Sequence, residues 1–280
     1  MNFKSSSQIN NGILELNSLI GLSEVKSEIK SLTNYIKFNS ARKERGIPTQ
    51  PISYHLVFTG NPGTGKTTVA RLLAHIFKEL GILKKGHLVE TDRSGLVAEY
   101  VGQTAIKTNN IIDCALDGVL FIDEAYTLAQ GDNQDYGHEA IATLLKRMED
   151  DRSRLIVILA GYGEEMKEFI NSNPGLKSRF NRYINFPDYS AEELYKIFQT
   201  YLEKQQYILS QEGESIMLAY LNNVVDNKQK DFGNARFVRN LFERIIEQQA
   251  NRLSTIEDIS NEQLQTITKF DVEKGIEKMV

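Results

Sequence analysis

The chain is poor in the residues that staple, anchor or metallate a protein. It has one cysteine, Cys114, so no intrachain disulfide can form. That permits a reducing compartment such as the cytoplasm. Cys114 lies in the helical pattern Ile111–Leu116 and reads as a small core residue. The four histidines, His55, His75, His87 and His138, show no metal-ligand spacing among themselves. No apolar run approaches the ~20 residues of a membrane helix. The start, Met1–Ser7, lacks the apolar stretch of a signal peptide. Excess positive charge is also missing. The formal net charge is −4, whereas a dedicated nucleic-acid binder is usually basic.

What the chain does have is Gly60-Asn61-Pro62-Gly63-Thr64-Gly65-Lys66-Thr67, which satisfies the pattern G-x-x-x-x-G-K-[ST]. Leu56-Val57-Phe58 precedes it as an apolar strand, and Thr68 and Val69–Leu73 continue it as a helix. In that setting the glycines let successive backbone N–H groups turn toward phosphate oxygens. The helix N-terminus adds partial positive charge. Lys66 supplies a full charge to the β- and γ-phosphates, and the Thr67 hydroxyl is placed to ligate Mg²⁺. ATP and Mg²⁺ are the expected ligands.

Val119–Ile122 reads as a buried strand that ends in two acids, Asp123 and Glu124. In an open α/β sheet, ligands sit beyond the C-terminal strand ends. Asp123 is then expected to hold Mg²⁺, and Glu124 to polarise the attacking water.

Composition and length suit an α/β domain with a smaller partner. Residues 1 to about 12 are polar and expected to fray. Residues 13–45 are helical in pattern, with Val25, Ile29, Leu32 and Ile36 on one face. Strands are predicted at His55–Thr59, His87–Glu90, Val119–Ile122, Leu155–Ala160 and Tyr183–Phe186, separated by helices, as in a parallel sheet. After Pro187 no strand is evident. Ser190 and Glu193 form a capping box. Three amphipathic helices follow: one through Leu194, Ile197, Phe198 and Tyr201, one through Ile216, Leu218 and Leu221, and one through Phe237–Ile246. The predicted organisation is a tail or linker (1–18), an α/β P-loop nucleotide domain (19–187) and an all-helical lid (188–280).

Together these stretches resemble an AAA+ ATPase, within it the CbxX/CfxQ group of red-type Rubisco activases and stage V sporulation proteins. The resemblance rests on Gly60–Thr67, Leu96–Ala105, Val119–Tyr126, Ile158–Tyr162, Asn173–Phe180 and Gly233–Arg236, and covers about residues 19–253. Asn185–Ser190 and Arg236–Asn240 incline it toward the sporulation branch. The resemblance implies a strand order of 5-1-4-3-2 and assembly into a ring, most often a hexamer. It implies that Ile20 and Gly21, within Leu19–Leu22, cover the adenine. It gives Arg179 and Arg182 as arginine fingers, with Arg179 favoured. Arg236 corresponds to a γ-phosphate sensor in the lid, and Tyr100-Val101-Gly102 to a pore loop that grips an extended peptide. The chain departs from the superfamily at Ala160-Gly161-Tyr162, where many members carry Asn or Thr to orient water. The leading expectation is a cytoplasmic, ATP-driven ring that remodels a protein client. The alternatives are a nucleotide-dependent assembly scaffold and, less favoured because of the acidic balance, a DNA-linked AAA+ protein.

Overall fold

A computed structural model describes residues 11–50, 53–100, 102–130 and 136–279. It separates into two compact units. One is Met1–Gly60 with Gly65–Phe186, and the other is Asn61–Thr64 with Pro187–Val280.

The first unit is built on five parallel strands: β1 (Leu56–Thr59), β2 (Leu88–Thr91), β3 (Gly118–Ile122), β4 (Leu155–Gly161) and β5 (Tyr183–Asn185). Their spatial order is β2-β3-β4-β1-β5, the expected 5-1-4-3-2 read from the other edge. The three central strands are continuous apolar runs, buried along nearly their whole length. This is what a sheet covered on both faces requires. Ahead of the sheet come α1 (Asn11–Ser18) and α2 (Ser23–Glu44). Residues 1–10 lie outside the described residues. Helix α1 overlaps the start of the helical pattern read over 13–45 and packs on α3 (Lys66–Glu79), and the Gly12 N–H donates to Glu79. All four predicted α2 positions, Val25, Ile29, Leu32 and Ile36, are buried.

The crossovers are α4 (Arg93–Leu96), α5 (Thr104–Ala115), α6 (Gly137–Asp150), α7 (Gly163–Ser172) and α8 (Pro174–Arg179). Helix α5 corrects one expectation. Its buried face is Thr104, Thr108, Ile112 and Ala115, and Cys114 is exposed. At about 100° per residue, Cys114 lies some 200° around from Ile112, on the solvent side.

The lid helices are α9 (Ala191–Gln205), α10 (Gln211–Asp226), α11 (Asn234–Leu253), α12 (Asn261–Gln265) and α13 (Lys269–Glu277). The Ser190–Glu193 capping box starts α9 as expected. Phe242 of α11 anchors the core against Phe198, Tyr201 and Tyr207, with Tyr201 stacked at 5.5 Å. On α10 the buried face is Gly213, Met217 and Leu221; Ile216 and Leu218 flank it. The lid is not wholly helical. Two two-residue strands, β6 (Ile208–Leu209) and β7 (Thr266–Ile267), pair in parallel. Two buried polar groups hold this corner. The Gln249 amide donates to the carbonyls of Gln263, Leu264 and Thr266. Asp271, with no exposure, accepts two bonds from Arg252 at 2.8 Å and two from Thr268.

One buried histidine makes the sheet acid-sensitive. His55, 7% exposed, accepts the Val157 N–H through Nδ1 at 3.0 Å. Burial, aided by the Arg179 charge, pushes its pKa down to about 4. The unfolded chain therefore takes up this proton more readily than the folded one. The stabilisation is complete above the ordinary pKa of 6.5 and is lost as pH falls toward 4. Between pH 7.5 and 5 this amounts to about 2 kcal/mol. Urea unfolding at the two pH values should show that loss in the wild type. His55→Gln keeps an acceptor for Val157 and should remove most of the difference.

Candidate active site

The site is built from strand ends. Strands β1, β4 and β3 are adjacent and parallel, so Gly60, Tyr162 and the Asp123–Glu124 pair emerge on one side of the sheet. The Gly60 N–H donates to the Gly161 carbonyl at 3.1 Å, fixing the start of the loop. Gly60 itself sits at φ +146°, and a Cβ there would lie 2.3 Å from the Phe186 carbonyl oxygen. No other residue fits.

Helix α3 begins at Lys66, after Gly65 in the left-handed region at φ +94°. No side chain caps it and no acid stands in its first turn. Its first N–H groups are thus left uncapped by its own side chains, a suitable end for an anion. The Lys66 ammonium donates to the Gly60 carbonyl at 2.7 Å, folded back across the loop. These features fit a polyphosphate.

The loop tip, Asn61–Thr64, belongs to the second unit. There Gly63, at φ +70°, presses on the start of α11: a Cβ would lie 2.2 Å from the Gly233 oxygen and 2.9 Å from the Arg236 nitrogen. The Asn61 amide donates to Asp188 at 2.9 Å, and Lys228 pairs with the same carboxylate at 2.8 Å. Burial works to raise the Asp188 pKa. Hydrogen bonds from Lys228, Asn234 and Asn61 outweigh it and hold the carboxylate below its usual range. Arg236 is exposed on the first turn of α11.

Asp123 and Glu124 are both exposed beyond β3. The Asp123 N–H bonds to the Thr91 carbonyl at 2.9 Å, and Glu124 stands at φ 45°, ψ 42°. That left-handed turn is costly for a residue with a Cβ and swings Glu124 off the strand line. Beside it, Tyr126 and Tyr162 contact at 6.1 Å between ring centres. Burial first, then the charges of Glu124 and Glu165, push the Tyr126 pKa up to about 12. Tyr126 therefore keeps its hydroxyl proton near Glu124, a group that strand patterns did not flag. Among the described residues no cluster of three His, Cys, Asp or Glu could hold a metal alone. Thr67 and Asp123 are instead of the kind that shares Mg²⁺ with phosphate oxygens.

Tyr100 is 67% exposed and Gly102 sits at φ +76° with open space around it; Val101 lies outside the described residues. A cleft of about 490 Å³ is lined by both Glu124 and the residues leading into Tyr100, Ala98 and Glu99. The stem is firmly held. The Ala98 N–H donates to Thr104 Oγ1, and Lys107 donates to the carbonyls of Ser94 and Val97.

Arg179 ends α8. Its guanidinium reaches Glu149 and Gly175 only at 3.4–3.5 Å, and its Nε has no partner among the described residues. Arg182 lies over the Tyr35 ring at 5.7 Å. Ile20 and Gly21 are half-buried in the turn between α1 and α2, where Lys26 donates to the Leu19 carbonyl at 2.6 Å.

Comparison with known proteins agrees with this geometry. Residues 56–188 match the ATPase family associated with various cellular activities (AAA), and residues 190–280 match the AAA lid domain. The chain is 46% identical to stage V sporulation protein K of Bacillus subtilis, over 92% of this chain and 80% of that one. It is 44% identical to the chloroplastic ribulose bisphosphate carboxylase/oxygenase activase of Cyanidioschyzon merolae, over 91% and 84%. The FIGL-1 AAA domain superposes with a TM-score of 0.63 over 99% of this chain and 92% of that one, at 16% identity, a likeness of fold. Parallel sheet, phosphate loop, strand-end acids and lid thus occur together in a chain that belongs to the AAA ATPase family, in the group of the CfxQ, stage V sporulation K and Rubisco activase proteins.

Proposed function

We propose that the protein is a Mg²⁺-dependent ATPase that assembles into a ring and remodels a protein client through Tyr100-Val101-Gly102. The observation that carries this reading is the shared cleft. Glu124 and the stem of the Tyr100 segment line one space, so a change in what Glu124 contacts is felt at the root of an exposed aromatic. An exposed tyrosine ring binds an extended chain largely regardless of its sequence.

In this reading the amides of Gly60–Gly65 and the first turn of α3 bind the triphosphate. Lys66 leaves the Gly60 carbonyl to neutralise it. Thr67 and Asp123 would hold Mg²⁺, which would supply neutralisation of phosphate charge. Thr68 continues the helix start, and Ile20 and Gly21 cover the adenine. Glu124 directs water in line with the γ-phosphate. Arg179 serves the neighbouring subunit as the finger. Its long contacts and unpartnered Nε hold it weakly, whereas Arg182 is engaged with Tyr35. A finger of this kind contributes roughly 10³–10⁵ in rate, about 4–7 kcal/mol. Arg236 reports the γ-phosphate from the lid. The sporulation protein and the Rubisco activase are similar to this chain to nearly the same degree.

Glu124→Gln should lower steady-state ATP turnover about 10²-fold or more while nucleotide binding persists; full turnover in this variant would end the assignment. Lys66→Ala and Arg179→Ala should each be inactive alone. Mixed, they should recover a fraction of wild-type turnover, because an intact loop can then meet an intact finger across an interface. No recovery on mixing would place Arg179 outside the trans role. Tyr100→Ala should keep ATPase activity within a few-fold and abolish unfolding of a tagged client. Remodelling unaffected by that change would favour an assembly scaffold instead.

A further inference from the structure

The phosphate loop's tip, Asn61–Thr64, belongs to the same compact unit as the lid. Three successive carbonyls of the tip each accept a hydrogen bond from the lid's own unit. The Asn234 amide donates to the Pro62 oxygen at 3.3 Å. The Ala235 N–H donates to the Gly63 oxygen at 3.2 Å. The Tyr189 hydroxyl donates to the Thr64 oxygen at 3.3 Å. In a planar trans peptide the carbonyl and the following N–H point in opposite directions. Drawing the 62, 63 and 64 carbonyls toward the lid therefore turns the N–H groups of Gly63, Thr64 and Gly65 the other way, into the loop.

Asn234 is built for this task at some cost. It is fully buried, and its backbone is left-handed at φ +49°. Its amide NH₂ also donates to Asp188 at 2.8 Å and to the Phe232 carbonyl at 2.9 Å, and its oxygen accepts the Tyr189 N–H at 2.9 Å. Asp188 in turn binds Asn61 and Lys228. Each hydrogen-bonding atom of the Asn234 side chain is thus used, and the set joins both ends of the tip to the lid.

We infer that Asn234, with Tyr189 and Asp188, forms a brace that sets the peptide planes of residues 62–65 for phosphate binding, making the lid a determinant of nucleotide affinity. These are positioning residues, since they act through the loop's backbone. The inference rests on the ATPase assignment and is independent of the ring and pore-loop reading.

Asn234→Gly tests it cleanly. Glycine accepts the left-handed backbone without strain, so only the side-chain bonds are lost. Affinity for an N-methylanthraniloyl-labelled ADP should fall about ten-fold, the equivalent of roughly one of the four lost side-chain bonds being felt at the loop. The KM for ATP should rise in parallel, with kcat at saturation within about two-fold. Tyr189→Phe, which removes a single hydroxyl, should weaken binding about three-fold. The melting temperature without nucleotide should fall in Asn234→Gly, which leaves the buried Tyr189 N–H without its acceptor, and stay close to wild type in Tyr189→Phe, whereas its rise on adding ATP–Mg²⁺ should shrink in both. A folded Asn234→Gly protein that binds the probe within two-fold of wild type would overturn the brace. Should that variant not fold, unchanged probe affinity in Tyr189→Phe would do the same. A wild-type protein that ignores the probe would instead remove the nucleotide assignment, and the brace with it.

Discussion

A covered parallel sheet leaves polar chemistry one place to go. Along β1, β3 and β4 both faces are buried, so every backbone N–H and C=O is committed to the ladder and side chains there are apolar. Charge and free amides can appear only where the strands stop. Gly60, Glu124 and Tyr162 are residues at those stops, brought side by side by a strand order that inserts β4 between β1 and β3. The placement of these residues thus follows from satisfying the backbone within a dry core.

Much of this was legible because it is local. A phosphate loop needs glycine where φ is positive and a helix right after, and both are written into eight consecutive residues. Five strands were visible as apolar runs, and their ends moved by only one residue from the predicted limits, since boundaries depend on pairing partners that a single segment does not reveal. The capping box at Ser190 is likewise complete within four residues.

What escaped the sequence depends on distant partners. Cys114 sits in an apolar stretch, yet helix phase, set by Ile112 and Ala115 packing on the sheet, turns it to solvent. The β6–β7 pair is too short to show a period and exists because Gln249 gathers three carbonyls beside it. On α10 the innermost residue is Met217, between the two aliphatic residues that drew attention. Asn234 stood in the sequence only within the resembling stretch Gly233–Arg236. Its left-handed backbone and its bonds to Pro62, 172 residues away, belong to tertiary structure alone.

The Arg252–Asp271 pair in the lid carries a constraint of another kind. Asp271 has no contact with water, and Arg252 grips it through two nitrogens. Removing Arg252 strands the Asp271 charge in a dry setting, which typically costs about 3–5 kcal/mol, and removing Asp271 leaves the partly exposed Arg252 without its partner, whereas exchanging both for matched apolar groups is often tolerated. The two sites are therefore bound in heredity as well as in space: drift at one is blocked until the other moves, so sequences on either side of such an exchange are separated by a valley that single steps cannot cross.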